Sequence, residues 1–87
     1  MKLWIIYRKK QKIVRDAIFP LRDGQAWESG LSEFLENEDT SRPVILSKHY
    51  NEAEQFYRVV FAPSDFIEPI DFDRLEVEII EEDKDKK

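Results

Sequence analysis

The chain has 87 residues, of which 41% are apolar and 13% aromatic. This length allows a single hydrophobic core, and the apolar content excludes a globally disordered chain. Because cysteine is absent, neither a disulfide framework nor a thiolate metal site can be built. No apolar run approaches the roughly 20 residues of a membrane-spanning helix, and no segment after Met1 has the pattern of a signal peptide. We therefore expect a cytoplasmic protein without a membrane partner.

The charge of the chain is unevenly distributed. The net charge is −5, with +5 in residues 1–24, −4 in residues 25–63 and −6 in residues 64–87. The negative total argues against a nucleic-acid partner, because phosphate contacts require a basic surface. Charged residues make up 38% of the chain, and amide side chains are scarce. This composition is typical of a protein from a thermophilic organism.

The N-terminal segment predicts a β-hairpin. Residues 2–8 form a short run rich in β-branched and aromatic side chains, and residues 13–19 resume this pattern after a polar turn at 9–12. Pro20 ends the second strand because proline cannot donate to a strand ladder. The first strand carries apolar side chains on both faces, which predicts an interior strand covered on each side.

Residues 25–36 predict an amphipathic helix that packs on the sheet. Its apolar residues lie at i, i+4, i+7 and i+8 and form one stripe, which consists of Trp27, Leu31, Phe34 and Leu35. Asp23 is a candidate cap for this helix. Gly30 costs about 1 kcal/mol relative to alanine inside a helix. A close approach of the helix backbone to the sheet would explain this glycine.

The middle of the chain supports two interpretations. Residues 44–48 predict a strand that begins after Pro43. Residues 55–62 are rich in strand-favouring side chains, which favours a further strand there. The same region also has helical spacing of its apolar residues, and Asn51 and Glu54 have the spacing of a capping pair. A helix is therefore the alternative for this segment.

The C-terminal part predicts a final strand and a charged tail. Apolar and acidic side chains alternate over residues 75–80, which indicates a half-buried strand with an acidic face. Residues 81–87 are all charged and cannot bury apolar surface, so we expect them to form a flexible tail. A single domain then spans residues 1–80.

Together these elements predict an α+β fold. We expect a mostly antiparallel sheet of about five short strands with one main amphipathic helix packed on a face. A second short helix near Asn51 or Ser64 would cover the other face of the sheet.

Acidic residues gather where the predicted helix ends. Glu36, Glu38 and Asp39 crowd a helix C-terminus, whose unpaired carbonyl groups already carry partial negative charge. Arg42 is the nearest following base. A divalent cation would relieve the repulsion, and Ca²⁺ suits such a set because it accepts about six to eight oxygens in loose geometry. A solvated loop is the alternative, since the pattern is not that of an EF-hand.

A second acidic group surrounds Pro69. Asp71 and Asp73 would point the same way in an extended chain, which suits shared coordination, and Asp65 and Glu68 are close in sequence. A rigid surface loop with aspartate as the turn-forming residue is the alternative. The sequence thus predicts five candidate metal ligands, namely Glu36, Glu38, Asp39, Asp71 and Asp73.

Signals for catalysis are weak. His49 is the only histidine, and Ser47 lies two residues before it. A catalytic Ser–His–Asp unit needs its imidazole between a nucleophile and an orienting acid, and no nucleophile motif is present. The two glycines of the chain exclude a glycine-rich phosphate loop. We therefore expect a protein that is not an enzyme.

Basic residues cluster on the predicted hairpin. Lys9, Lys10 and Lys12 lie near Arg8 and Arg15 in the sequence. Such a patch could contact nucleic acid or an acidic protein. We instead expect these side chains to protect a strand edge or to face the acidic C-terminal strand.

The chain resembles the small, acidic, functionally unassigned α+β proteins of methanogenic archaea. The resemblance rests on size and charge, on the hairpin from Leu3 to Phe19, on the helix from Gln25 to Glu36 and on the acidic loop from Glu36 to Asp39. It implies calcium binding through acidic loops. The alternative function is an interaction module whose acidic face meets a basic protein partner.

Overall fold

The structure, a computed structural model, describes residues 1–81. This part of the chain forms the strands β1 (Lys2–Lys9), β2 (Lys12–Pro20), β3 (Arg58–Phe61) and β4 (Arg74–Ile80), the helices α1 (Trp27–Asn37) and α2 (Ser47–Phe56), and a 3₁₀ turn at Pro63–Asp65. Of the predicted tail over 81–87, all but Glu81 lies outside the described residues. Neither helix has the length and apolar character needed to cross a membrane.

The four strands form one antiparallel sheet in the order β2-β1-β4-β3. The α+β class and the antiparallel sheet are therefore confirmed, whereas the prediction of about five strands is wrong over residues 1–81. The two central strands, β1 and β4, come from opposite ends of this region. The formation of the sheet thus depends on the pairing of β1 with β4, which are far apart in sequence.

The predicted hairpin is confirmed, with a two-residue turn at Lys10 and Gln11. Both residues have positive φ values, of 53° and 66°, which gives the turn the twist that favours tight hairpins. The Lys10 amide donates a hydrogen bond of 2.5 Å to Asp73 Oδ2, and the Asp73 amide donates one of 2.7 Å to the carbonyl of Arg8. Contacts from the segment before β4 therefore hold a turn that lacks the usual glycine.

One face of the sheet carries the core. The buried apolar residues of this core come from all strands but β2 and from both helices, and they include Leu3, Ile5, Leu31, Leu35, Ala53, Val59, Phe61, Leu75 and Val77. Both helices therefore pack on the same face, and the fold has two layers. The prediction that an element covers each face of the first strand is wrong for residues 1–81.

The opposite face, called the open face below, buries side chains without a covering helix. It carries Trp4, Ile6 and Arg8 of β1, and the cross-strand partners of Ile6 are Asp16 and Glu76. Ile6 is nevertheless only 2% exposed. Long neighbouring side chains thus shield the apolar part of this face.

Helix α1 confirms the predicted stripe. Its buried residues are Gly30, Leu31, Phe34 and Leu35. The helix begins two residues later than predicted, with Ala26 at the N-cap and no capping side chain, so the prediction that Asp23 caps it is wrong. A Cβ placed on Gly30 would collide with Leu21 Cδ2 and would lie 3.5 Å from Leu3 Cδ1. The close approach inferred for this glycine is confirmed, with Leu21 as the nearest neighbour.

The predicted strand over residues 44–48 is wrong, because helix α2 begins at Ser47. His49 is fully buried, and its Nδ1 accepts a 2.9 Å hydrogen bond from the Leu46 amide, which caps the helix N-terminus. This cap favours the helix over the strand. Asn51 lies inside this helix, so the predicted Asn51–Glu54 capping pair is wrong.

The segment over residues 55–62 contains both predicted alternatives. Helix α2 ends at Phe56, Tyr57 takes a left-handed conformation, and strand β3 runs from Arg58 to Phe61. Val59 and Phe61 face the core. A reversal at a single residue thus separates the helix from the strand.

Candidate functional site

The candidate site is a groove between the two helices and the end of the sheet. It has a volume of about 480 Å³. Its apolar lining comes from five separate parts of the chain and consists of Met1, Leu21, Ala26, Trp27, Tyr50, Ala53, Tyr57 and Ile79. Gln25 and Glu54 supply its polar lining. We call it the aromatic groove, after Trp27, Tyr50 and Tyr57.

The aromatic rings of the groove are only partly buried in the fold. Trp27 packs edge-on against Tyr50, with 5.9 Å between ring centroids. Tyr50 remains 45% exposed and Tyr57 50% exposed. Aromatic rings with free faces offer a large contact area, and their hydroxyl or indole groups can still bind polar atoms.

The backbone at Tyr57 is held in an unfavourable conformation. Its φ and ψ are 54° and 32°, in a region where a residue with a side chain is disfavoured and glycine is usual after a helix. The Tyr57 amide donates to the Ala53 carbonyl over 3.0 Å, and its carbonyl accepts a 2.8 Å bond from Ile79. These bonds hold the strained residue with its ring at the groove. Because the ring is half exposed, burial does not explain the choice of tyrosine.

The two polar groups of the groove differ in availability. Gln25 accepts a 3.0 Å hydrogen bond from the Arg22 amide and donates one of 3.1 Å to Glu33. Glu54 is exposed, and no base in residues 1–81 forms an ion pair with it. The groove therefore presents one available carboxylate beside three aromatic rings.

The predicted metal ligands at the end of α1 are separated. Glu36 and Asp39 line a polar depression of about 380 Å³ together with Glu68. Glu38 instead forms an ion pair with Arg15 of β2, and this carboxylate raises the pKa of Arg15. Sequence reasoning missed Arg15 because it lies 23 residues from Glu38.

At the end of α1, carbonyl groups that a metal would otherwise bind already accept hydrogen bonds from backbone amides. The Glu38 amide donates to Phe34, the Asp39 amide to Glu36 and the Thr40 amide to Leu35, over 2.9 to 3.1 Å. Asp39 takes a positive φ of 58° to allow this ending. The oxygens left for a cation are therefore mainly those of carboxylates and hydroxyl groups.

The two other candidate ligands do not share a site. Asp73 lines a depression beside Arg8 and Arg74, where its carboxylate holds the hairpin turn. Asp71 lines a different depression with Tyr7. Among residues 1–81, no three acidic or histidine side chains are placed to share one ion. Calcium binding stays a prediction.

His49 and Asp65 form a buried pair. Asp65 is 8% exposed, and its Oδ2 lies 3.4 Å from His49 Nε2. The same oxygen accepts a 2.9 Å bond from the Ala62 amide at the 3₁₀ turn. The pair joins the start of α2 to this turn, and both side chains are buried.

The open face brings three arginines onto one buried carboxylate. Glu76 is 1% exposed and pairs with Arg8, Arg58 and Arg74 over 2.8 to 3.0 Å. Burial would raise the pKa of Glu76, but hydrogen bonds and charge from Arg8 and Arg58 outweigh it and hold the pKa below its ordinary value. Arg8 belongs to the basic patch predicted on the hairpin, and Arg74 lies directly opposite it on β4. Arg15, by contrast, faces the other side of the sheet.

Comparison of the chain with protein-family models, with curated proteins and with solved structures finds no match. The resemblance to acidic proteins of methanogenic archaea stays a prediction.

The aromatic groove itself was not predicted from the sequence. The sequence predicts Trp27 as part of the apolar stripe of a helix, places Tyr57 in the strand over residues 55–62, and offers Glu54 as half of a capping pair. A Trp–Tyr–Tyr set remote in sequence has no recognisable spacing. The one available signal was Tyr57 next to a helical pattern that could not continue through β-favouring residues.

Proposed function

We propose that this chain is a non-catalytic binding module that receives a cationic side chain of a basic protein partner in the aromatic groove. The observation that carries the proposal is the position of Glu54 beside the exposed rings of Tyr50 and Tyr57. The faces of aromatic rings attract cations, and a nearby carboxylate adds charge attraction.

Two properties of the groove and the net charge of the whole chain favour an arginine or lysine over other ligands. Its volume of about 480 Å³ is large enough for a long side chain. Its apolar lining suits the methylene stem of such a side chain. The net charge of −5 attracts a basic protein and raises the rate of encounter.

A peptide titration followed by NMR tests this proposal. The probe is a pentapeptide of glycines with one central arginine, and its control carries citrulline, which has nearly the same shape without the charge. We expect saturable shifts of the Trp27 indole signal with the arginine peptide. Trp4 serves as the internal reference because its indole nitrogen donates a 2.8 Å bond to Asp16 on the open face.

The Glu54→Gln variant measures how much the carboxylate charge of Glu54 contributes to binding. We expect it to weaken binding of the arginine peptide by roughly tenfold, because about 1.4 kcal/mol of attraction corresponds to that factor. Glu28→Gln is the matched control, since Glu28 lies on α1 beside Trp27 but does not line the groove. Equal affinity for the arginine and citrulline peptides, or equal effects of the two variants, would refute the proposal.

The Tyr57→Gly variant separates binding from folding. Glycine relieves the left-handed strain, so we expect the free energy of unfolding to rise by about 0.5–1 kcal/mol. Loss of the ring should at the same time weaken peptide binding. If Tyr57 served only packing, the variant would be less stable than the wild type and would bind the arginine peptide with unchanged affinity.

A further inference from the structure

Two arginines face each other directly at the hairpin end of the two central strands. Arg8 of β1 is the cross-strand partner of Arg74 of β4. Like charges at directly opposed positions destabilise a strand pair unless an anion lies between them. The fold supplies one such anion, Glu76.

Glu76 neutralises only part of the charge that surrounds it. Its Oε2 lies 2.9 Å from Arg8 Nε and 2.8 Å from Arg74 Nε, and its Oε1 lies 3.0 Å from the third arginine, Arg58. Three guanidinium groups therefore share this one carboxylate, and Glu78 lies opposite Arg58 in the sheet. Arg74 is 48% exposed, so donors that do not reach Glu76 face solvent.

A depression of about 250 Å³ lies at this end of the sheet. It is lined by Arg8, Lys10, Gln11, Asp73 and Arg74. It lies on a different surface from the aromatic groove, and the two share no lining residue. We propose that Arg8, Arg74 and Lys10 bind the phosphate group of a small anionic ligand in this depression. Guanidinium groups suit phosphate because they can donate two parallel hydrogen bonds to it.

Asp73 sets the strength of this site. Its carboxylate lies in the same depression and accepts the bond from the Lys10 amide. It acts as an internal anion that competes with a bound phosphate for the positive charges of the depression. The change Asp73→Asn removes the charge and keeps an oxygen that can accept the Lys10 bond, so it strengthens phosphate binding.

The test is an NMR titration of the full chain with inorganic pyrophosphate at constant ionic strength, with chloride as the reference anion. Saturable shifts are expected at Lys10, Gln11 and Arg74. Arg74→Gln weakens binding by roughly tenfold, since each hydrogen bond to a charged group contributes about that factor. Lys48→Gln on α2 is the control, because it removes an equal charge outside the depression.

Asp73→Asn is expected to strengthen phosphate binding, whereas Arg74→Gln is expected to weaken it. Asp73→Asn therefore still tests the proposal if Arg74→Gln perturbs the sheet. Tighter pyrophosphate binding by Asp73→Asn, with Lys48→Gln unchanged, supports the site. Shifts that never saturate, or equal losses in Arg74→Gln and Lys48→Gln, overturn it and leave only screening by counter-ions. Adding orthophosphate and a nucleoside monophosphate as further probes shows whether the ligand is a free phosphate or a phosphate ester.

Discussion

At the scale of single residues, the most consequential group is the carboxylate of Glu76. It lies on the open face, where no helix covers it, and is still almost fully buried. A buried charge is tolerated only when it is paired and hydrogen-bonded. Three arginines meet this condition, and their long side chains also shield Ile6, which faces the same side.

Glu76→Gln should therefore destabilise the fold. Removal of one partner from a buried pair costs about 3–5 kcal/mol, and the partial exposure of the arginines reduces this to about 2 kcal/mol at neutral pH. Urea denaturation measures the change. Glu78→Gln on the same face is the control, because the Glu78 side chain is less buried.

The same variant has a defined pH dependence. The pKa of Glu76 is lowered in the folded protein, so its contribution to stability is present above the pKa of the unfolded chain. That contribution is lost as the pH falls through the lower, folded value. The difference in stability between the wild type and Glu76→Gln should thus shrink in acid. A difference that stays constant from neutral pH into strong acid would contradict this.

At the scale of secondary-structure elements, helix α1 is positioned by a residue without a side chain. Gly30 allows Leu21, Leu3 and Phe19 to pack against the helix backbone. Leu21 also lines the aromatic groove. The position of α1 on the sheet and the shape of the aromatic groove therefore both depend on Leu21.

Gly30→Ala should leave the free energy of unfolding nearly unchanged. Alanine gains about 1 kcal/mol of helix propensity, but its Cβ displaces the end of the Leu21 side chain, and this shift costs about the same, at the low end of the roughly 1–3 kcal/mol typical of overpacking. In a Leu21→Ala background the collision is absent, and the same substitution should become stabilising. Thermal unfolding of the four proteins gives the coupling between the two sites. Additive effects would show that Leu21 does not obstruct the helix.

At the scale of the whole molecule, tertiary contacts decide which acidic groups remain available. Arg15 of β2 pairs with Glu38, whereas Glu36 and Asp39 line one depression together with Glu68 from a distant segment. The acidic loop that the sequence predicts as one cation site is divided by these contacts. Because no three carboxylates in residues 1–81 are placed to share one ion, a cation at the end of α1 requires either movement of Glu36, Asp39 and Glu68 towards each other or release of Glu38 by Arg15.

The calcium prediction can now be tested through Arg15. We expect Ca²⁺ to cause saturable amide shifts confined to residues 35–42 and the neighbourhood of Glu68, with affinity in the ~10⁻⁴–10⁻³ M range of weak sites. Arg15→Gln frees the Glu38 carboxylate and should tighten the binding, while Arg22→Gln, which removes a base near Glu33, should not. Linear drifts across the whole chain, unchanged by Arg15→Gln, would argue against a site.

The sequence by itself determined the local structure of the chain wherever the hydrophobic pattern was long enough. The hairpin, the stripe of α1 and the last strand follow from the periodicity of side chains that must be buried. Residues 44–62 could not be assigned in this way, because the choice between helix and strand depended on His49 as a buried cap and on the strained reversal at Tyr57.

The tertiary structure alone decided where chemistry can occur. The aromatic groove, the Arg15–Glu38 pair and the arginines around Glu76 each join residues from separate elements. Their positions depend on the sheet order and on the packing of both helices on one face. The physical reason is that burial patterns act locally along the chain, whereas ion pairs and binding surfaces depend on distances that only the assembled fold sets.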